Sequence, residues 1–154
     1  MGKSFQQESA LHRTITTPSH FAYLKISEGC NRYCAYCAIP YARGPIKSRK
    51  PSDVIDEIKT LVSKGVKEII LSGINTGTYG QDLKDEVTLA SLLDDILSSV
   101  NGCFRLRLSS IELMEITDEL LDVYEKYPTK IARHFHIPLQ AGCDNTLKRM
   151  KRKY

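Results

Sequence analysis

The stretch Leu24-Lys25-Ile26-Ser27-Glu28-Gly29-Cys30-Asn31-Arg32-Tyr33-Cys34-Ala35-Tyr36-Cys37 runs from an alternating apolar segment straight into three thiols at CxxxCxxC spacing. From Phe21 to Ser27 the alternation puts Ala22, Leu24 and Ile26 on one face and Tyr23, Lys25 and Ser27 on the other, which is the period of a strand. Three thiols on one short loop have the density of a metal centre rather than of a disulfide framework. Zinc would complete its tetrahedron with a fourth Cys or His, and the sequence places no convincing fourth ligand beside Cys30, Cys34 and Cys37. A 4Fe-4S cluster held by these three thiolates, with one iron open to a substrate, fits that donor set. A zinc knuckle or three unrelated thiols are the bland alternatives.

The 154-residue chain is 42% hydrophobic and 26% charged, the make-up of one ordinary globular domain with enough apolar material for a core. No apolar run reaches membrane-spanning length, and the start, Met1-Gly2-Lys3-Ser4-Phe5-Gln6-Gln7, lacks the apolar centre of a signal peptide. The expectation is a soluble, cytoplasmic protein with no membrane partner. Five cysteines, an odd number with three clustered, suit a reducing compartment. The net charge of +4 is modest, but two basic groups are candidates for a polyanionic partner. One is Arg43, Lys47, Arg49 and Lys50, just after the cysteine loop; the other is Lys148, Arg149, Lys151, Arg152 and Lys153.

Residues 1–19 have no sustained period and carry Thr14, Thr16, Thr17 and Pro18, so they are expected to form an arm or linker ahead of a domain over 20–154. After the cysteine loop, Pro51-Ser52-Asp53 opens a helix whose apolar stripe is Val54, Ile55, Ile58, Leu61 and Val62 and which Gly65 stops. The strand–helix unit then repeats. Val66 to Gly73 is a strand, followed by a Gly/Thr-rich loop and a helix from about Thr88. Phe104 to Ser110 is a third strand, after which Thr117 caps a helix carrying Leu120, Leu121 and Tyr124. Ile131 to Gln140 is expected as a fourth strand, with Asp144 or Asn145 opening a last basic helix. Such alternation implies right-handed βαβ crossovers and a parallel sheet.

One face of these strands is polar: Lys25 and Ser27, Arg105, Arg107 and Ser109, then His134, His136 and Gln140. A closed eight-stranded barrel fills its interior with branched apolar side chains, so the polar face suggests a wet, ligand-holding cavity in a partial barrel of about four β/α units. Cys103, at a strand start, and Cys143, in a small-residue loop, are expected to be structural.

The cysteine spacing, with Tyr36 directly before the last Cys, resembles the radical S-adenosylmethionine enzymes. More narrowly, Leu24 to Cys30, Ile39-Pro40-Tyr41-Ala42-Arg43-Gly44, Ser48-Arg49, Leu71-Ser72-Gly73-Ile74-Asn75-Thr76-Gly77-Thr78-Tyr79-Gly80, Leu108-Ser109-Ser110-Ile111-Glu112, His136-Ile137-Pro138-Leu139-Gln140-Ala141-Gly142 and Leu147-Lys148-Arg149-Met150 together resemble the methylthiotransferases, from about Tyr23 to Tyr154. Gly73-Ile74-Asn75-Thr76-Gly77 and Ser109-Ser110-Ile111-Glu112 look most like the branch acting on threonylcarbamoyladenosine of tRNA. The resemblance implies four β/α units of a six-unit half-open barrel, truncated at the C-terminus. It implies that Cys30, Cys34 and Cys37 hold the cluster, that Tyr36 contacts adenine, that Ser72, Gly73 and Asn75 occupy the methionine-binding motif, and that Glu112 and Gln140 line the cofactor cavity. Reduction of the cluster would split S-adenosylmethionine to a 5′-deoxyadenosyl radical that abstracts hydrogen from the adenine carbon to be methylthiolated. The implied partners are tRNA and an electron donor of flavodoxin or ferredoxin type, with self-association possible through an open barrel edge. The family's second 4Fe-4S cluster would need three further cysteines on a preceding domain. Left open are another tRNA adenosine, an aspartate of a ribosomal protein (the Pro18-to-Lys25 lead-in leans that way), and a non-catalytic zinc or RNA-binding module.

Overall fold

A computed structural model describes residues 20–154; the arm expected over 1–19 lies outside the described residues. Three parallel strands, β1 (Phe21–Lys25), β4 (Glu68–Ser72) and β5 (Arg105–Leu108), form one sheet in the order β1-β4-β5, with Leu24 opposite Leu71 and Leu71 opposite Leu108. A two-stranded antiparallel piece, β2 (Ser27–Glu28) with β3 (Lys47–Ser48), is hinged to it at Ile26. The Ile26 N–H donates to Ser72 O at 2.9 Å, whereas its carbonyl accepts from Arg49 N at 2.8 Å, so one residue serves both sheets. This division breaks the single strand expected over Phe21–Ser27.

The helices are α1 (Ile39–Arg43), α2 (Pro51–Ser63), α3 (Leu89–Ser99), α4 (Asp118–Lys126) and α5 (Asp144–Arg149). Local chemistry sets their ends. Pro51 opens α2 and Gly65, at φ 86°, follows its close. Thr88 and Ser91 form a reciprocal capping box on α3, and Thr117 accepts from the Leu120 N–H on α4, each cap contributing about 1 kcal/mol.

The apolar face of the sheet, Ala22, Leu24, Ile69, Leu71, Leu106 and Leu108, is buried under Val54, Ile58, Leu61, Leu92, Leu93, Ile96, Leu97, Leu120 and Val123 of α2, α3 and α4. Strands added in sequence order along one direction keep their crossover helices on one face, so the opposite face is left to Tyr23, Lys25, Arg105 and Arg107. The charge on that face is partly internally matched: Glu68 accepts from Arg107 Nε at 2.5 Å and from Arg105 Nη2 at 2.5 Å.

The fourth strand expected over 131–140 is absent. Only two isolated parallel bridges, Leu106 to Ile131 and Ser110 to His136, tie this segment to β5. Between them the chain of β5 and the residues just after it advances four residues (106 to 110) and its partner five (131 to 136), so one residue is thrown out of register. The His134 N–H turns back onto Ala132 O at 2.7 Å, and Pro138 has no N–H to offer a ladder. Three strand–helix units, not four, are regular. Cys103 and Cys143 are exposed rather than packed. Among the described residues no helix is long and apolar enough to cross a membrane.

Candidate functional site

The loops that leave the C-terminal ends of the parallel strands are stapled side by side. After β4, the Thr76 N–H and Oγ1 both donate to Ser110 O at 2.9 Å, and Asn75 Oδ1 accepts the Glu112 N–H at 3.3 Å, so the loops after β4 and β5 move as one. Gly73 lies against β2; a Cβ there would stand 2.6 Å from Ser27 Oγ. In a parallel sheet this is the end at which ligands bind.

The cysteine loop spans β2 to α1 and is held at its base. Gly29, at φ 74°, approaches so closely that a Cβ would stand 2.1 Å from Pro45 O. The Cys30 N–H donates to Gly44 O at 3.2 Å, and Asn31 Oδ1 accepts the Ile46 N–H at 3.1 Å. Its far side is tied to the chain's last segment, where the Ala35 N–H donates to Met150 O at 3.1 Å. Cys30, Cys34 and Cys37 are half-buried free thiols. Burial pushes the Cys30 thiol up; the Arg32 backbone N–H opposes this, and Cys34, Glu112 and Cys37 add to it. Among the described residues no three His, Cys, Asp or Glu side chains are gathered as a metal-holding group.

Glu112, expected in the cofactor cavity, is 8% exposed and sits between two guanidiniums. Arg152 Nη2 lies 2.9 Å from its Oε1 and Arg32 Nε 3.6 Å from its Oε2, while Arg32 also pairs with Glu115. Arg152 Nη1 donates to Cys34 Sγ at 3.3 Å. Tyr36, just over half exposed, lies by Arg152 and Cys34; burial raises its hydroxyl, Arg152 lowers it and Cys34 raises it. Sequence reasoning missed Arg32, Glu115 and Arg152 as members of this cluster. Arg32 alone carried a signal, its place between two cysteines of the triad.

The site residues are brought together unequally. Asn75, Glu112 and Cys34 share one network, and Ser72 and Gly73 abut β2. Gln140 is exposed at φ 61° and, among the described residues, makes no hydrogen bond to that network. Both basic groups shrink. Arg49 is 6% exposed, pairs with Glu57 at 2.7 Å and donates to Lys25 O; Arg43 pairs with Glu28 at 3.2 Å; and Arg152 leaves the terminal group for the network. A cavity of about 310 Å³ opens beside Arg32, Glu115, Met114 and Thr88, but its lining includes none of the three cysteines.

Residues 24–154 match the Radical SAM superfamily. Over 133 residues the chain is 50% identical to the threonylcarbamoyladenosine tRNA methylthiotransferase MtaB of Bacillus subtilis (strain 168), covering 86% of this chain and 29% of that protein. It is 44% identical to the tRNA-2-methylthio-N(6)-dimethylallyladenosine synthase of Thermoanaerobacter sp. (strain X514), covering 86% and 28%, and 44% identical to the ribosomal protein uS12 methylthiotransferase RimO of Clostridium tetani (strain Massachusetts / E88), covering 92% and 31%. The chain thus spans under a third of the length of these curated relatives. In fold it is similar to the radical S-adenosylmethionine methyltransferase TsrM of Kitasatospora setae, in a structure with cobalamin and a [4Fe-4S] cluster bound, at TM-score 0.66 and 16% identity over 82% of this chain and 22% of that one.

Proposed function

The chain belongs to the radical SAM superfamily, and on that premise we propose that it is the core of a tRNA methylthiotransferase, a transferase acting on threonylcarbamoyladenosine. The observation that carries the reading is the placement of three thiols on one anchored loop at the ligand-binding end of a parallel sheet, where Arg32 of that loop pairs with Glu112 and Glu115 after β5. The 50% identity to a relative named for that tRNA nucleoside, against 44% to those named for another adenosine or for uS12, favours this substrate. Residues 20–154 would form part of a half-open barrel, with the loosely bridged outer edge of β5 as its route to self-association. Cytoplasmic location, tRNA and a low-potential electron donor belong to the same reading.

The donor set fits a 4Fe-4S cluster: three thiols on one loop, with no imidazole gathered with them among the described residues, and a guanidinium N–H on one sulfur. Cys30, Cys34 and Cys37 would hold it, and when bound it would supply the electron that cleaves S-adenosylmethionine. The residues around it position and shield. Asn75 Oδ1 must accept, because its partner is the Glu112 backbone N–H, so Nδ2 is the end left over; it is buried and has no partner among the described residues. A buried donor of this kind is completed by an acceptor such as a ligand carboxylate. Glu112 has both oxygens engaged by arginines, so its part is to hold Arg32 and Arg152 in place. Tyr36, beside Cys34, offers the flat face against which an adenine would stack.

The test is anaerobic reconstitution with iron and sulfide. The chain should become brown and hold about four irons, as expected of one such cluster, and Cys34→Ser should abolish uptake. A colourless protein holding one zinc would overturn the reading.

A further inference from the structure

We propose that Arg152 sets the reduction potential of the cluster on the cysteine loop, through a charged hydrogen bond to the Cys34 sulfur that Glu112 counterbalances. This rests on the cluster reading above and deepens it. The Arg152 side chain is only 4% exposed although it lies two residues from the last one, and both terminal nitrogens of its guanidinium are engaged, while Nε is buried without a partner among the described residues. Nη1 donates to Cys34 Sγ at 3.3 Å; Nη2 meets Glu112 Oε1 at 2.9 Å and donates to Tyr154 Oη at 3.0 Å. Tyr154 is itself fixed, donating to Pro138 O at 2.6 Å, and its ring lies 4.9 Å from the guanidinium carbon. Met150 O, two residues earlier, accepts from Ala35, the neighbour of Cys34, so the segment and the loop keep one register.

Hydrogen bonds to ligand sulfurs and local net charge are what tune such clusters. On reduction one electron enters from an external low-potential donor, no bond forms or breaks, and the added negative charge spreads onto the thiolates. A buried cationic donor on one of them stabilises the reduced form more than the oxidised form, and burial weakens the screening that would erase this. The Glu112 carboxylate, on the other side of the same guanidinium, acts with opposite sign. Arg152 is therefore a positioning and tuning residue, not a catalytic one.

The experiment is potentiometric titration, followed by electron paramagnetic resonance, of the reconstituted chain and three variants. Arg152→Gln should shift the one-electron equilibrium about tenfold toward the oxidised form, which is about 59 mV downward. Arg152→Lys, which keeps the charge, should recover most of that. Glu112→Gln should move the potential upward. Arg152→Gln and the parent agreeing within error, or Glu112→Gln and Arg152→Gln moving in the same direction, would overturn the proposal while leaving the cluster reading intact. A parent chain without about four irons overturns both, and the iron count separates the two failures. If Arg152→Gln takes up no iron, the opposite signs required of Glu112→Gln and Arg152→Lys, up and slightly down, decide alone.

Discussion

Glu68 shows how one carboxylate can organise a polar sheet face. It stands at the start of β4, where hydrogen bonds from Arg107 and then Arg105 hold its carboxyl below the usual range. A depressed folded-state value means stability that is present above the unfolded value and is lost as the pH falls through the folded one. Glu68→Gln should therefore cost on the order of 1 kcal/mol at neutral pH, discounted because Arg105 is half exposed, and nothing once the parent's Glu68 is protonated. Urea midpoints of parent and variant that stay apart by a constant amount down to the lowest pH at which both fold would count against this account.

At the scale of elements, the cysteine loop depends on a glycine that backbone conformation alone does not explain. Gly29 and Gly44 both have positive φ, 74° and 76°, but a Cβ at Gly29 would stand 2.1 Å from Pro45 O while one at Gly44 would meet nothing within 4 Å. Gly44→Ala should cost only the strain of its φ 76°, ψ −168° backbone, a region that is essentially glycine-only, about 1–3 kcal/mol. Gly29→Ala must also push two backbone segments apart, so its loss should exceed that by at least about 1 kcal/mol and iron uptake should fall with it. Denaturation midpoints of the two variants check the order. Equal losses would mean that the base of the loop is not closed as described. Tyr79 secures the same region from the other side: fully buried, it donates to Arg49 O at 2.7 Å and holds β3 against the loop after β4.

For the molecule as a whole, thiol arithmetic limits the chemistry this chain can complete. Five cysteines less the three on the loop leave Cys103 and Cys143, both exposed and on separate elements, too few for a second three-thiolate site. The chain alone, reconstituted and given strong reductant, S-adenosylmethionine and unmodified tRNA, should at most release 5′-deoxyadenosine and methionine slowly. Methylthio-adenosine in the digested tRNA would show that one cluster suffices. The terminal lysines left exposed can meet phosphate, but contacts of that kind position a nucleic acid without selecting a base.

The sequence by itself determined what depends on neighbours along the chain. The strand period at Ala22-Tyr23-Leu24, the stripe and glycine stop of α2 and the Thr88 and Thr117 caps are all local, and each is where it was expected. The motif Asn75 to Gly80 and Glu112 lie on the loops after β4 and β5, which the Asn75 Oδ1 to Glu112 N–H hydrogen bond joins. Only the tertiary structure decided what those residues touch. Arg49 and Arg152 look in sequence like members of solvated basic runs, and folding instead buries them against Glu57 and Glu112, because a guanidinium desolvated by folding must find its carboxylate. Ile131 to Gln140 carries a strand's composition, yet one surplus residue between two bridges prevents a ladder, and register is a property of two segments that neither one encodes alone.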